Sequence, residues 1–154
     1  MGYDEENRNM SAFCEELRKK IHALDPVLDP EKIRPLALAY LGDTIFDLYV
    51  RSILVMTRST GPKDMHIAAS NIVNAASQAR IIKRLLPSLS EKEMAVFKAA
   101  RNQKPQTLPR NMSPVDYKLA TGLEALLGYL FITEQDERLM ELLEQGVELL
   151  IKEG

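Results

Sequence analysis

Two carboxylates stand inside otherwise apolar stretches of this sequence. Asp43 lies in the middle of LALAYLGDTIFDLYV (36–50), and Glu124 is the only charged residue of LATGLEALLGYLFI (119–132). An ionised carboxylate in an apolar interior loses solvation, so each acid must find a cation, hydrogen-bond donors, water or a metal ion. Carboxylate oxygens together with water are the ligands that Mg²⁺ and Mn²⁺ prefer. The pair therefore indicates either a divalent-metal site or two acids with structural partners.

Small residues beside both acids predict that the helices carrying them pack closely. Gly42 precedes Asp43 directly, and Gly122 lies two residues before Glu124. If the two helices cross there, both carboxylates meet in one cavity. Asp47, one helical turn after Asp43 on the same face, either extends this site or reaches solvent. The structural alternative is that amides of a helix end, or an arginine from another helix, satisfy each acid.

The elements that must position these acids are predicted to be helices throughout. Helix-start and helix-stop signals recur along the chain, and no run of strands with period-two alternation is evident. The predicted helices cover 10–24, 35–56, 64–86 and 90–102, and two more begin at the capping residues Ser113 and Thr133. The segment 36–50 is apolar nearly all round, which is typical of a helix buried at the centre of a bundle. The fold class is therefore all-α.

Length and composition indicate one folded, cytoplasmic domain. The 154 residues are 45% hydrophobic and 27% charged, which argues against disordered or collagen-like chains. The single cysteine, Cys14, cannot form an internal disulfide, and the N-terminus lacks the apolar core of a secretory signal. No uncharged apolar run approaches the ~18 residues of a membrane span, so no membrane association is expected.

The net charge of −2 conceals a strongly basic middle third. Residues 51–110 carry a net charge of +8, whereas residues 1–50 carry −4 and residues 111–154 carry −6. Such a region indicates that the protein binds an anionic partner such as nucleic acid. The alternative is that the basic residues only form a solvated helical surface. No Cys/His pair, G-x-S-x-G motif, Walker loop or zinc-ligand spacing occurs, which argues against nucleophilic, nucleotide-binding and zinc enzymes.

Five sequence blocks between about residues 34 and 133 carry a resemblance to a known family. They are ALAYLGDTIFDLYVR (37–51), PKDMH (62–66), KAARNQK (98–104), LPRN (108–111) and TGLEALLGYLF (121–131). In this order they resemble the catalytic domain of ribonuclease III, and most closely Mini-ribonuclease III. The resemblance does not extend to residues before about 29.

The resemblance implies a ribonuclease III endonuclease-domain-like helical bundle over residues 29–154, preceded by an N-terminal extension, 1–28, with an amphipathic helix. It implies a homodimer that cuts double-stranded RNA, here expected to be precursor ribosomal RNA, and leaves 5′-phosphate and 3′-hydroxyl ends. Mg²⁺ is the implied cofactor, and Mn²⁺ substitutes for it. Asp43 and Glu124 match the family's catalytic metal ligands.

Three positions depart from the patterns of the family. Larger ribonuclease III enzymes carry acids at the places of Ala39 and Thr121, and this reduction is similar to that of the Mini-ribonucleases III. Ala76 stands where a lysine is expected, so one contact to RNA or to the site is missing. The role of His66 stays open: it either contacts phosphate or transfers protons, or it packs against the core edge or caps a helix.

The chain ends at Gly154, with no double-stranded-RNA-binding domain after the catalytic helices, so the domain itself is expected to grip RNA. A-form RNA is recognised through its shape, phosphates and 2′-hydroxyls, which calls for basic and polar groups beside the acids. The candidate RNA-binding residues are Lys98, Arg101, Asn102, Lys104, Arg110 and Lys118. Their alternative role is a solvated loop.

Two other functions fit parts of the pattern. One is a non-catalytic RNA-binding or ribosome-associated relative of the same fold, although binding anionic RNA gains nothing from two acids. The other is an unrelated helical interaction module whose acids are paired internally. Metal-dependent thermal stabilisation separates this module from a metal-binding site, because only a site that binds metal in the folded state is stabilised by it.

Overall fold

The computed structural model describes residues 3–24, 28–105, 107–108 and 110–153, and this part of the chain is helical with no strand. The all-α prediction is therefore confirmed. Two short 3-10 turns, Pro30–Lys32 and Leu86–Ser88, accompany the helices. The α-helices among the described residues are α1 (Tyr3–His22), α2 (Pro35–Thr57), α3 (Pro62–Ile72), α4 (Ala75–Leu85), α5 (Glu91–Arg101), α6 (Pro114–Ile132) and α7 (Asp136–Glu153).

Three predicted helix starts, those of α2, α5 and α6, are confirmed by the residues in their first turns. Pro35 and Pro114 occupy the first turns of α2 and α6, where a missing N–H costs nothing. Ser90 and Glu93 form the predicted capping box at the start of α5, with the Glu93 N–H donating to Ser90 Oγ and the Ser90 N–H donating to Glu93 Oε1. The first helix begins at Tyr3, earlier than predicted, and residues 25–27 of the predicted breaker lie outside the described residues.

The prediction of one helix over 64–86 is wrong, because the chain breaks between α3 and α4. Asn74 has an extended backbone, and its side-chain oxygen accepts a hydrogen bond from the Ser77 N–H at 2.8 Å. An asparagine in this geometry caps a new helix instead of continuing the old one. After the break, Gln78 of α4 lines a cavity together with Asp43 and Glu124.

The predicted cap at Thr133 is also wrong. Its N–H donates to carbonyls of the preceding turn, so the residue closes α6 instead of opening the next helix. Glu134 follows with a φ of 62°, in the left-handed region, and α7 starts only at Asp136. The pattern T-x-x-D therefore marks the turn between the helices and not the first residue of α7.

The hydrophobic core is built around α6. Its side chains from Leu123 to Phe131 are buried with the exception of Glu124, and α2, α4 and α5 pack around it. α2 differs, since Leu36, Tyr40 and Leu48 on one of its faces are exposed. The expectation that α2 is surrounded by apolar neighbours is therefore wrong for the single chain.

α2 and α6 touch backbone to backbone where they cross. A Cβ built on Gly42 would overlap the carbonyl oxygen of Glu124 and lie 2.5 Å from its carbon, and one built on Gly128 would overlap the carbonyl of Leu38. The close approach predicted from Gly42 is confirmed. Gly122 instead accommodates the ring of Phe97 on α5.

The N-terminal helix is fastened to the junction of α6 and α7 by one buried arginine. The Arg18 guanidinium donates to both carboxylate oxygens of Asp136, at 2.9 and 2.6 Å, and to the carbonyl of Phe131 at 3.1 Å. A two-pronged bond between arginine and a carboxylate fixes orientation as well as distance. The described part of α1 therefore packs on the same body as the other helices. None of the described helices has the length and hydropathy that crossing a bilayer requires.

Candidate active site

Asp43 from α2 and Glu124 from α6 meet at the helix crossing. Both side chains line one cavity of about 770 Å³, and their carboxyl groups share a hydrogen bond. Asp43 is exposed and Glu124 is half-buried, so Glu124 alone lies largely among apolar neighbours as the sequence predicted. The crossing of two helices at Gly42 is therefore what places the two acids side by side.

The carboxyl group of Glu124 holds its proton far more tightly than an ordinary glutamic acid does. Burial, the negative charge of Asp43 and the hydrogen bond between the two groups raise the pKa of Glu124 to about 9. Two carboxylates that share a site cannot both ionise easily, because each charge disfavours the other. A cation placed between them removes this repulsion, so the arrangement favours binding of a positive ion.

The donor set fits Mg²⁺ or Mn²⁺. Among the described residues, no group of three or more His, Cys, Asp or Glu side chains is placed to hold a metal. Mg²⁺ does not need such a cage, because it keeps several waters and is commonly held by one or two carboxylates plus substrate phosphates. Asp43 and Glu124 supply the carboxylates. Asp47 Oδ1 instead accepts a hydrogen bond from Arg51 Nε at 2.9 Å, on the same helix.

The positions where larger ribonuclease III enzymes carry further acids face the same cavity. Ala39 and Thr121 both line it. The hydroxyl of Thr121 donates to the carbonyl of Tyr117 at 2.9 Å, within α6. Among the described residues, the cavity therefore has two carboxylates where that pattern would place four. Ala76 is exposed and does not line the cavity.

Of the candidate RNA-binding residues, Lys104 and Lys118 line the cavity. The other four do not. Arg101 stacks over the ring of Phe97, with its guanidinium carbon 5.4 Å from the ring centre, and donates to Asn102 Oδ1 at 3.1 Å. Lys98 and Arg110 are exposed, the first in the last turn of α5 and the second in the loop that follows. His66 is exposed on α3, also outside the cavity lining.

Sequence reasoning did not identify the contribution of α4 to the cavity. Asn74 and Gln78 line it, and Gln78 is only 5% exposed. The amide nitrogen of Gln78 is buried, and no described atom accepts a hydrogen bond from it. A glutamine on an amphipathic helix gives no local sign that it is buried beside a cavity. The asparagine at position 74, which breaks the helix, is the one sequence feature that relates to this placement.

A second cleft, of about 1040 Å³, lies between α1 and the start of α7. It is the larger of the two, but it contains neither Asp43 nor Glu124. Its carboxylates include Asp136, which is already bound to Arg18. The paired carboxylates therefore make the smaller cavity the candidate active site.

Replacement of Glu124 by glutamine is expected to stabilise the metal-free protein at neutral pH but not at acidic pH. Between pH 4.5 and about 9 the folded state holds a proton that the unfolded chain has released. The stability from this proton is fully present below pH 4.5 and is lost progressively as the pH rises toward 9. Glutamine, neutral at every pH, avoids this loss, so we expect a gain of roughly 1–3 kcal/mol at pH 7.5.

Urea unfolding in EDTA at several pH values measures this gain. Glu144→Gln, the same substitution at an exposed site on α7, is the matched control and should leave the pH dependence of the wild-type protein unchanged. A difference between Glu124→Gln and wild type that stays constant from pH 5 to pH 8 would show that Glu124 is not held protonated in the folded state.

Comparison with known proteins identifies the family. The family model described as Ribonuclease III domain matches residues 36–135. Mini-ribonuclease 3 of Enterococcus faecalis is 40% identical over 117 residues, which are 75% of this chain and 89% of that protein. Mini-ribonuclease 3 of Symbiobacterium thermophilum is 38% identical over 122 residues, 79% of this chain and 94% of that one.

A crystal structure shows the same fold. The protein FN1578 of Fusobacterium nucleatum superposes with a TM-score of 0.69 at 29% identity, covering 79% of this chain and 93% of that one. The family model spans both Asp43 and Glu124. The chain therefore belongs to the ribonuclease III family, within its Mini-ribonuclease 3 group.

Proposed function

We propose that this protein is a cytoplasmic, metal-dependent endoribonuclease that cleaves double-stranded RNA and leaves 5′-phosphate and 3′-hydroxyl ends. Its proposed substrate is precursor ribosomal RNA. The observation that carries the proposal is the meeting of Asp43 and Glu124 in one cavity at the crossing of α2 and α6. Family membership supplies the reaction type, endonucleolytic cleavage of RNA.

Asp43 and Glu124 are the residues that would hold the metal. The chemistry that Mg²⁺ would supply there is a lowered pKa of a water molecule and neutralisation of charge on the phosphate and the leaving oxygen. Lys104 and Lys118, which line the same cavity, place positive charge beside the two acids. These ammonium groups attract the RNA backbone and hold a phosphate near the carboxylates. Two of the four other candidate RNA-binding residues, Arg101 and Asn102, lie at the end of α5. Lys104 comes two residues later in the chain.

We also propose that two copies pair through the open face of α2. Tyr40, Leu48 and Val55 are 83%, 61% and 63% exposed on that face. Burial of such side chains against a second copy would stabilise a dimer through the hydrophobic effect. Because Asp43 lies on the same helix as Tyr40, pairing would set the two active sites of a dimer on either side of the interface. Sedimentation should then give twice the 17.4 kDa mass of the chain.

We propose that the chain divides into an N-terminal extension over 1–28 and a ribonuclease III-like catalytic domain over 29–154. The family match begins at residue 36, and Arg18 docks the extension on Phe131 and Asp136 of the domain. Deletion of residues 1–28 should leave cleavage of RNA intact if the division is correct. Loss of cleavage by a folded deletion variant would assign the extension to the catalytic unit.

Cleavage of a long RNA duplex by the purified protein tests the proposed function. We expect cutting that requires Mg²⁺ or Mn²⁺, yields 5′-phosphate ends and spares a single-stranded RNA of the same sequence. A duplex formed by the ends of precursor ribosomal RNA should be cut faster than a random duplex. Binding without cutting would instead favour a non-catalytic RNA-binding relative. The absence of both binding and cutting would refute the proposal.

A further inference from the structure

The buried amide of Gln78 is a polar group for which the described residues provide no partner. Gln78 lies on the inward face of α4, between the buried Ser77 and Ala79. Its side-chain nitrogen is buried, and within the described part of the chain no atom accepts a hydrogen bond from it. Among the described residues Arg18 Nε is also buried without a hydrogen-bond partner, but the two remaining nitrogens of that guanidinium are hydrogen-bonded.

A buried N–H without an acceptor lowers the stability of the folded protein. A purely structural role therefore explains poorly why glutamine occupies this position. Burying an amide N–H without an acceptor costs about 1–3 kcal/mol, whereas a leucine or methionine at the same place costs nothing of the kind. Most buried polar groups in folded proteins are hydrogen-bonded, so the exceptions call for an explanation. The neighbouring Ser77 follows the rule, since its hydroxyl donates to the carbonyl of Asn71 at 3.2 Å.

Gln78 lines the cavity that holds both acids. Asp43 and Glu124 are hydrogen-bond acceptors in that cavity, yet the amide donates to neither of them. The acceptor that suits it is therefore one that the substrate brings. A phosphodiester oxygen is an acceptor only, and it is the group that Lys104 and Lys118 attract to the same place.

We propose that the side-chain amide of Gln78 donates a hydrogen bond to a phosphate oxygen of the RNA strand held in the cavity. This inference rests on the proposed function of the cavity. Rotation of χ3, a broad torsion in glutamine, would let the amide N–H turn to an incoming acceptor without movement of α4. A neutral donor adds a contact with the phosphate without repelling the metal ion held by the acids.

The experiment compares Gln78→Met with wild type. Methionine has a similar length and volume and no donor, so it keeps the packing and removes the hydrogen bond. We expect the Kd for a short fluorescent RNA duplex, measured in EDTA, to rise about tenfold, since hydrogen bonds to charged groups are among the stronger ones. The Mg²⁺ concentration that half-saturates thermal stabilisation should stay unchanged, and the Tm should be equal or higher.

Matched variants separate this contact from other roles. Ser77→Ala removes the neighbouring buried polar group, which does not line the cavity, and should leave the RNA Kd unchanged. Gln78→Asn keeps the amide but shortens the side chain, and it should also weaken RNA binding. It serves as the test variant if Gln78→Met fails to fold.

Two results would overturn the inference. An unchanged Kd for RNA in folded Gln78→Met and Gln78→Asn would make Gln78 a packing residue. Loss of Mg²⁺ binding in these variants would make it a positioning residue for the carboxylates instead. Failure of the proposed function looks different, because the wild-type protein itself would then fail to cut the RNA duplex.

Discussion

Asp43→Asn should slow the cleavage of double-stranded RNA by at least about a thousandfold while leaving the helical fold intact. Asparagine has the same shape but lacks the negative charge that holds a divalent ion. Loss of groups that only support metal ligands already costs about 10–100-fold, so loss of a ligand should cost more. Because Asp43 is exposed, its replacement removes no buried contact of the core. Rates on an RNA duplex, with circular dichroism of the same samples, measure the effect.

The metal response of this variant provides a second, independent readout. Mg²⁺ at about 100 times its Kd should raise the Tm of the wild-type protein by on the order of 5–10 °C, because it binds only the folded state. In Asp43→Asn this rise should disappear. Asp64→Asn, the same substitution at an exposed residue of α3 outside the cavity, should keep both cleavage and the metal response. Continued turnover by Asp43→Asn and by Glu124→Gln would refute the assignment of the metal site.

The same assay decides the role of Asp47, which the sequence leaves open. Its carboxylate bonds to Arg51, an exposed i,i+4 pair of the kind that contributes little to stability. We therefore expect Asp47→Asn to retain most of the cleavage activity and the metal-induced rise in Tm. A loss as large as that of Asp43→Asn would extend the metal site to Asp47.

The sequence predicts the positions of the two acids better than it predicts their surroundings. Gly42 beside Asp43 and the apolar run around Glu124 are local signals of a close crossing of buried helices, and the structure has that crossing. The exposure of Asp43 is not visible in the sequence. An apolar helix face that is exposed in the single chain has the same composition as one that packs against the core of its own chain. Tyr40, largely exposed, shows the difference only in the structure.

Cavity residues supplied by other elements were harder to predict. Asn74 follows the end of α3 and caps α4, but a single asparagine among helix formers is weak evidence against an uninterrupted helix. Gln78 is buried on the inward face of α4, a place that periodicity assigns to apolar side chains. That its amide nitrogen has no hydrogen-bond partner among the described residues depends on what surrounds it in three dimensions. Tertiary contacts, not sequence spacing, therefore determine this part of the site.

The close crossing leads to the second large prediction, that Gly42→Ala strongly destabilises the protein. In an exposed helix, replacing glycine by alanine is favourable by about 1 kcal/mol. Here the added Cβ would overlap the carbonyl oxygen of Glu124, a backbone atom that cannot rotate away. α2 and α6 must therefore separate, and we expect a loss of roughly 3–5 kcal/mol in the free energy of unfolding. Urea unfolding measures this loss.

Gly61→Ala is the matched control, since a Cβ built on Gly61 meets nothing within 4 Å. Gly61 precedes α3 with a φ of −74°, which alanine adopts freely, so its stability should change by no more than about 0.5 kcal/mol. Any folded Gly42→Ala protein should also cleave RNA poorly, because the separation that admits the Cβ moves Asp43 away from Glu124. A Gly42→Ala protein as stable and active as wild type would mean that the helices do not cross at Gly42, and the basis for pairing the two carboxylates would be lost.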